Sequence, residues 1–246
     1  MPTSFDPLEP PEPSPAAFAA AAKQSHIITR LLTPAVHVWL RSQVESIQTL
    51  EIDIQGGDRQ ILSGYLPQVA VGAEGAVYQG LYLSQLQLQA QNIRVNLGQV
   101  VRGKPLRLLE VIPVEVALCL SEADLNASLQ TPLLANGVAD VLSPLLQSAD
   151  AVTPLAIEHL QVSLERDRLV LTVTLAGQAT PVMITTGLSM VNGHILRLTD
   201  SQWRSPVDPI PAWMNFDIDL GQDVHIDDLR IEPGQLLCQG RLNVIP

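Results

Sequence analysis

Residues 80–97 read GLYLSQLQLQAQNIRVNL, and their period is two. Leu81 and Leu83, then Leu86, Leu88 and Ala90, take the apolar places, and the residues between them are mostly Gln, Ser and Asn. Successive strand side chains point to opposite faces, so this stretch makes a ribbon with one aliphatic side and one uncharged polar side. The apolar parity changes once, around Ser84 and Gln85, where a β-bulge is expected. TLEIDIQ at 49–55 alternates in the same way. LRLLEVIPVEVALCL at 106–120 is a further strand, which Pro113 should confine to an edge or a break. Alternation returns at 155–177, 181–203 and 224–244, with hairpin tips expected at Asp167-Arg168, Asn192-Gly193 and Pro233-Gly234. The bulk of the chain is therefore antiparallel β.

Helical spacing is confined to two places. From about Ala21 to Ser46, His26, Arg30, Thr33, His37, Arg41 and Glu45 form one polar stripe, and the rest of the circumference is apolar. So narrow a polar face predicts a long helix buried on most sides, kinked at Pro34. SEADLNASL at 121–129 carries a capping signal, Ser121 with Asp124 three residues on. A short turn is expected at Ser143–Asp150. Residues 1–20 are rich in Pro and acid and predict a disordered tail, leaving 21–246 as one α+β domain.

Ile47-x-x-Leu50-x-Ile52, Ile157-x-x-Leu160-x-Val162 and Ile226-x-x-Leu229-x-Ile231 share a spacing, each ahead of a turn and an aliphatic strand. Either a repeated hairpin unit or ordinary strand alternation produces this. Their separations are too unequal for a solenoid array.

Composition excludes several classes. The net charge of -11 argues against a general nucleic-acid binder, which needs a broad basic face. Cys119 and Cys238 are no disulfide framework for a chain of 246 residues and read as small buried hydrophobes. No uncharged apolar run approaches the ~18 residues that cross a bilayer. The opening MPTSFDPLEPPEPSP is acidic where a signal peptide is basic, so the expected location is cytoplasmic, with peripheral attachment to the cytoplasmic face of a membrane.

Catalytic signals are sparse. There is no nucleophile elbow, Walker loop, dinucleotide fingerprint or H-E-x-x-H. His225 sits near Asp223, Asp227 and Asp228 without compact metal-ligand spacing, and a solvated acidic edge is the plainer account. Asp217 and Asp219 would share a strand face, but nothing else is recruited to them. Asn126-Ala127-Ser128 matches a glycosylation sequon, which has no meaning without secretion. Trp39 reads as core, whereas Trp203 and Trp213 suit either core or a membrane interface. No enzyme activity, cofactor or metal is expected.

One stretch runs against the overall charge. Residues 75–109 hold no Asp or Glu, yet Arg94, Arg102, Lys104 and Arg107 cluster there beside Val100 and Val101. Two accounts fit. These cations pair with the acid-rich segment 208–232, or they form a cationic rim beside an aliphatic wall. The second arrangement is what a phospholipid asks for, because Arg and Lys hold phosphate and Leu and Val receive acyl chains.

The segments LLTPAVHVWLRSQVESIQTLEIDIQGGDRQILSG, AVYQGLYLSQLQLQAQNIRVNLGQVVRGKPLRLLE and LSEADLNASLQTPLL resemble the LmeA-like family of bacterial phospholipid-binding proteins. The likeness covers about residues 25–246 and is closest to a branch common in photosynthetic bacteria, through GDRQ-LSG and SEADLN-SL. It implies an elongated, strongly curved antiparallel β-sheet wrapped around a long N-terminal helix, similar to tubular lipid-binding proteins, with an apolar tunnel. Related envelope proteins carry a secretion signal, which this chain departs from.

The expected function is thus non-enzymatic phospholipid binding or lipid transfer. Arg94, Arg102, Lys104 and Arg107 would attract the headgroup, and Leu83, Leu86, Leu88, Val100 and Val101 would line the wall. The expected partner is a phospholipid or a membrane surface, with no nucleic acid. The alternative is an interaction module with a filled core that docks an acidic partner or membrane through residues 92–110.

Overall fold

The computed structural model describes residues 29–100, 102–146, 157–177, 180–204 and 216–246. The expected tail, the start of the N-terminal helix, Val101 and Trp213 lie outside the described residues. In chain order the elements are α1 (Thr29–Gln43), β1 (Thr49–Gln55), α2 (Asp58–Leu62), β2 (Tyr65–Tyr78) and β3 (Leu81–Arg94). Then come α3 (Leu97–Val100), β4 (Ile112–Ser121), α4 (Glu122–Leu129) and α5 (Pro132–Leu146). Five strands follow, β5 (Ile157–Glu165), β6 (Arg168–Leu175), β7 (Val182–Val191), β8 (Ile195–Arg204) and β9 (Phe216–Asp219). The chain closes with β10 (Val224–Glu232) and β11 (Gln235–Val244). Two antiparallel sheets result, ordered β1-β2-β3-β4-β11-β10 and β5-β6-β7-β8-β9, and neither closes into a barrel.

The β2/β3 hairpin is the spine of the first sheet, and it corrects one expectation. The parity change at Ser84 and Gln85 is not a bulge, because pairing continues in one register from Ala73↔Leu86 and Glu74↔Gln85 to Ala76↔Leu83. Both strands change face together. Gly75, at φ +56° in the left-handed region that glycine tolerates, sits at the crossover. Asn92, at φ +56°, marks a second such crossover between Val69↔Ala90 and Leu66↔Ile93. A long ribbon so built keeps its aliphatic side chains on one side while it coils.

Pro113 is not on an edge strand. β4 lies between β3 and β11, but its ladder with β3 stops at Ala90↔Val114, one residue short of the proline. The missing N–H therefore interrupts no β3 pairing.

α1 differs from the long, deeply buried helix anticipated. Its described part has 15 residues and buries one stripe, through Val36 and the half-buried Trp39 and Leu40, while Val38 is 67% exposed. Among the described residues a single sheet lies beneath it, on one side.

The shared Ile-x-x-Leu spacing divides into two cases. β5/β6 and β10/β11 are both hairpins, and each is bulged at the same place, between Ile157 and His159 and between Ile226 and Asp228. Their tips join the sheets reciprocally: Asp167 N–H donates to the Ile231 carbonyl (3.1 Å), and Gly234 N–H donates to the Leu164 carbonyl (2.9 Å). The first occurrence is different, because β1 leads into α2 rather than a hairpin. The turn at Asn192-Gly193 is a three-residue loop, closed by Val191↔Ile195.

The second sheet's aliphatic face carries a buried cluster among the described residues. Leu160, Val162, Leu171, Val173, Val182 and Ile184 meet Leu129 of α4 and Leu142 of α5, all buried. α5 exceeds the short turn anticipated near its end. Pro132 suits the first turn of a helix, and beyond it Asn136, Asp140 and Ser143 fall at three- and four-residue steps and form a polar stripe.

SEADLN-SL is a clasp between the sheets. Asn126 Nδ2 donates to the Val162 carbonyl (2.7 Å), and its Oδ1 accepts from Val162 N–H (2.8 Å). Glu122 accepts from Leu164 N–H (2.7 Å). These side chains stand in for the neighbour that the edge strand β5 lacks. On the other side Asp124 accepts from the Ser84 hydroxyl and Ser128 Oγ accepts from Tyr82 N–H (2.8 Å), both on β3. Ser121 caps the helix by accepting from Asp124 N–H (3.1 Å).

Candidate functional site

Among the described residues, no strand of the second sheet lines the space on the aliphatic side of the first sheet. α1 stands on one flank and the segment 105–108 on the other, and between them is a cavity of about 740 Å³. Its floor is Ala73 and Ala76 of β2, Leu83, Leu86 and Leu88 of β3, and Val116 and Leu118 of β4. Trp39, Leu40, Leu106, Leu108 and Leu242 wall both this space and a smaller one of about 170 Å³. The smaller space reaches along β3 toward Val36, Leu66, Ile93 and Val95. The two therefore form one aliphatic tract along the strand, in the size range of ligand sites, roughly 300–1,000 Å³.

GDRQ-LSG closes this end. Ile61 of α2 is fully buried among Leu66, Val95 and Leu97. Gly64, at φ +83°, lets its backbone lie so close to the Val95 carbonyl that a Cβ would collide with it. Its own carbonyl accepts from Val95 N–H (2.8 Å).

Asn96, a buried polar residue, organises the loop that carries the cations. Its Oδ1 accepts from Arg107 N–H (2.8 Å), its Nδ2 donates to the Pro105 carbonyl (3.0 Å), and its own N–H donates to the Arg107 carbonyl (3.2 Å). The Val95↔Leu108 bridge holds the same segment to β3. Asn96 directly ahead of α3 is the one signal of this role in the sequence.

The predicted residues separate accordingly. Leu83, Leu86 and Leu88 line the larger cavity, and Val100 packs on the adjoining core. Arg107 lines that cavity with its side chain exposed. Arg102 and Lys104 are exposed on the turn after α3 and do not line it. Arg94 faces solvent and pairs with Glu110 (3.6 Å). Among the described residues the acid-rich C-terminal segment does not take these cations. Its carboxylates engage other partners: Asp217 holds Arg197 through two bonds of 2.7 Å, Asp228 holds Arg230, and Asp227 holds Arg241 and approaches His225 (3.3 Å). Asp217 is held below the usual carboxylate range by its hydrogen bond to Arg197. Asp219, on the same face, accepts from Gly221 N–H.

The cysteines are half-buried on neighbouring strands rather than fully buried, with thiols raised above their ordinary range by burial; neither forms a disulfide, and the Cys119 thiol donates to Gln235 Oε1 (3.5 Å). No helix of the described residues is long and apolar enough to cross a membrane. The opposite face of the first sheet carries a polar groove of about 720 Å³, lined by Gln87, Gln89, Glu115, Gln239 and Arg241.

No curated protein and no solved structure gives a significant match to the chain. At family level, residues 24–241 match LmeA-like phospholipid-binding proteins, nearly the whole length. That span includes α1, both sheets and the clasp that joins them, and the chain belongs to the LmeA-like phospholipid-binding family.

Proposed function

We propose that the aliphatic tract under α1 receives the acyl chains of a phospholipid, and that the loop held by Asn96 presents Arg107 to its phosphate. The protein acts by binding, and by carrying lipid between membranes, rather than by catalysis. The observation that carries this reading is the contrast between the halves. The second sheet's aliphatic face is filled by α4 and α5, whereas the first sheet's face borders an open space lined by the same residue types.

The energetics favour chains over headgroup. Each CH₂ moved from water contributes ~0.8 kcal/mol, so ten contribute about 8 kcal/mol. A surface cation near an anionic group contributes ~1 kcal/mol. Chains set affinity, and Arg107 sets orientation. Arg102 and Lys104 lie within the same loop and add to the field around the entrance rather than to the wall.

Native mass spectrometry of the purified protein tests the proposal. The expected spectrum shows a phospholipid mass on the folded chain, diminished in Leu88→Trp, which occupies the tract. In Arg107→Glu, retention of anionic phospholipid should fall several-fold and retention of an uncharged diacylglycerol should not. A bare protein mass, with no uptake from added vesicles, would remove the reading.

A further inference from the structure

We propose that one end of the first sheet is a docking surface for an anionic lipid bilayer. This rests on the phospholipid reading above and names the surface from which the lipid is taken. Among the described residues, four of the large exposed aliphatic side chains gather at this end: Leu62 (60% exposed), Leu109 (56%), Val111 (54%) and Ile245 (64%).

Backbone bonds bring them together. Gly64, two residues after Leu62, bonds to Val95, and Arg94 accepts from Leu109 N–H (2.9 Å). Val244 pairs with Ile112, which sets Ile245 beside Val111. Basic side chains surround the group. Arg59, Arg94, Arg102, Lys104 and Arg107 occupy the same end against the carboxylates of Asp58, Glu110 and Asp223, whose backbone carbonyl accepts from Asn243 N–H, in a chain whose net charge is -11. Cations interspersed with protruding aliphatics suit the boundary between headgroups and acyl chains, where the aliphatics enter the hydrocarbon and the cations meet phosphate.

A protein partner would need a matched surface. A bilayer receives these side chains without one, and charge complementarity selects an anionic leaflet. Arg107 and Ile245 both line the larger cavity, so docking here sets its mouth against the leaflet.

Co-sedimentation with vesicles tests this directly, using phosphatidylcholine alone and phosphatidylcholine with about a third phosphatidylglycerol. The protein should sediment with the mixed vesicles, and less so as salt shortens the screening length. The double variant Leu109→Asp/Val111→Asp should weaken that binding about tenfold or more. Leu133→Asp, on an exposed aliphatic of α5 in the other half, should leave it unchanged. Leu62→Asp gives a second disruption from a separate element. Native mass spectrometry of each variant reports lipid retention separately.

Unaltered sedimentation of both disruptive variants overturns the docking surface. So does a lipid-loaded protein that ignores anionic vesicles, an outcome that leaves the phospholipid reading intact. Vesicle binding that the variants abolish, in a protein that never carries lipid, supports the surface and removes the phospholipid reading.

Discussion

One added methylene should move stability in opposite directions in the two halves of the molecule. Val71, near the middle of β2, pairs with Ile52 and Leu88 and borders both aliphatic cavities. Val71→Ile extends the side chain into open space and should add up to about 0.8 kcal/mol. Val173 of β6 is fully buried in the second core. There Val173→Ile has nowhere to go, and overpacking should cost about 1–3 kcal/mol. With a urea dependence of about 3 kcal/mol per molar, the midpoint should rise by about 0.2–0.3 M for the first variant and fall by about 0.3–1 M for the second. The assay is equilibrium urea unfolding of protein stripped of lipid. Equal losses from both variants would show that the space under α1 is closed in solution, and the contrast behind the functional proposal would fail. In protein loaded with lipid the gain at Val71 should vanish, because the added methylene then competes with a chain.

Asn126→Ala removes three hydrogen bonds of 2.7–2.8 Å and leaves Val162 without its edge partner. Stability should fall by about 2–4 kcal/mol, and a urea midpoint within error of the parent would deny the clasp its role. For the cysteines, raised thiol pKa values predict alkylation at pH 8 slower than that of an unstructured cysteine peptide, accelerating to the peptide's rate in denaturant. Thiol quantification over time reads this, and a native rate equal to the peptide's would contradict the burial argument.

The strands were legible because alternation is local. Leu86, Leu88 and Ala90 declare their face within five residues, and the same rule marked Leu83 across the break. The cause of the break was not legible, since a bulge and a paired crossover produce the same parity change on one strand. Only Ala73↔Leu86 and Ala76↔Leu83 seen together separate them. α5 was not legible as a helix although Asn136, Asp140 and Ser143 mark its polar stripe, because Gly137 and Pro144 interrupt the pattern. For Pro113 the edge or break expected from the sequence is a break in the β3 ladder, not an edge strand. At the candidate site, Arg94, Arg102, Lys104 and Arg107 looked equivalent as neighbours in sequence. The Asn96 bonds separate them, aligning Arg107 with the cavity while Arg94 meets Glu110 on the outside. Trp39 and Leu242 belong to the same wall from opposite ends of the chain, a closure that only the fold supplies.

The solid half gives the hollow half latitude. A protein that drew its cohesion evenly from both sheets could not widen or narrow its bore without risking collapse. Here Val173, Leu142 and their neighbours anchor the chain, and the clasp and reciprocal hairpin tips carry that anchorage across the seam. Residues 73, 76, 86 and 88 are left to act as a gauge. Under the proposal that this tract takes acyl chains, exchanges among Ala, Val and Leu there would tune which tail lengths and branching patterns are admitted, with the scaffold itself undisturbed.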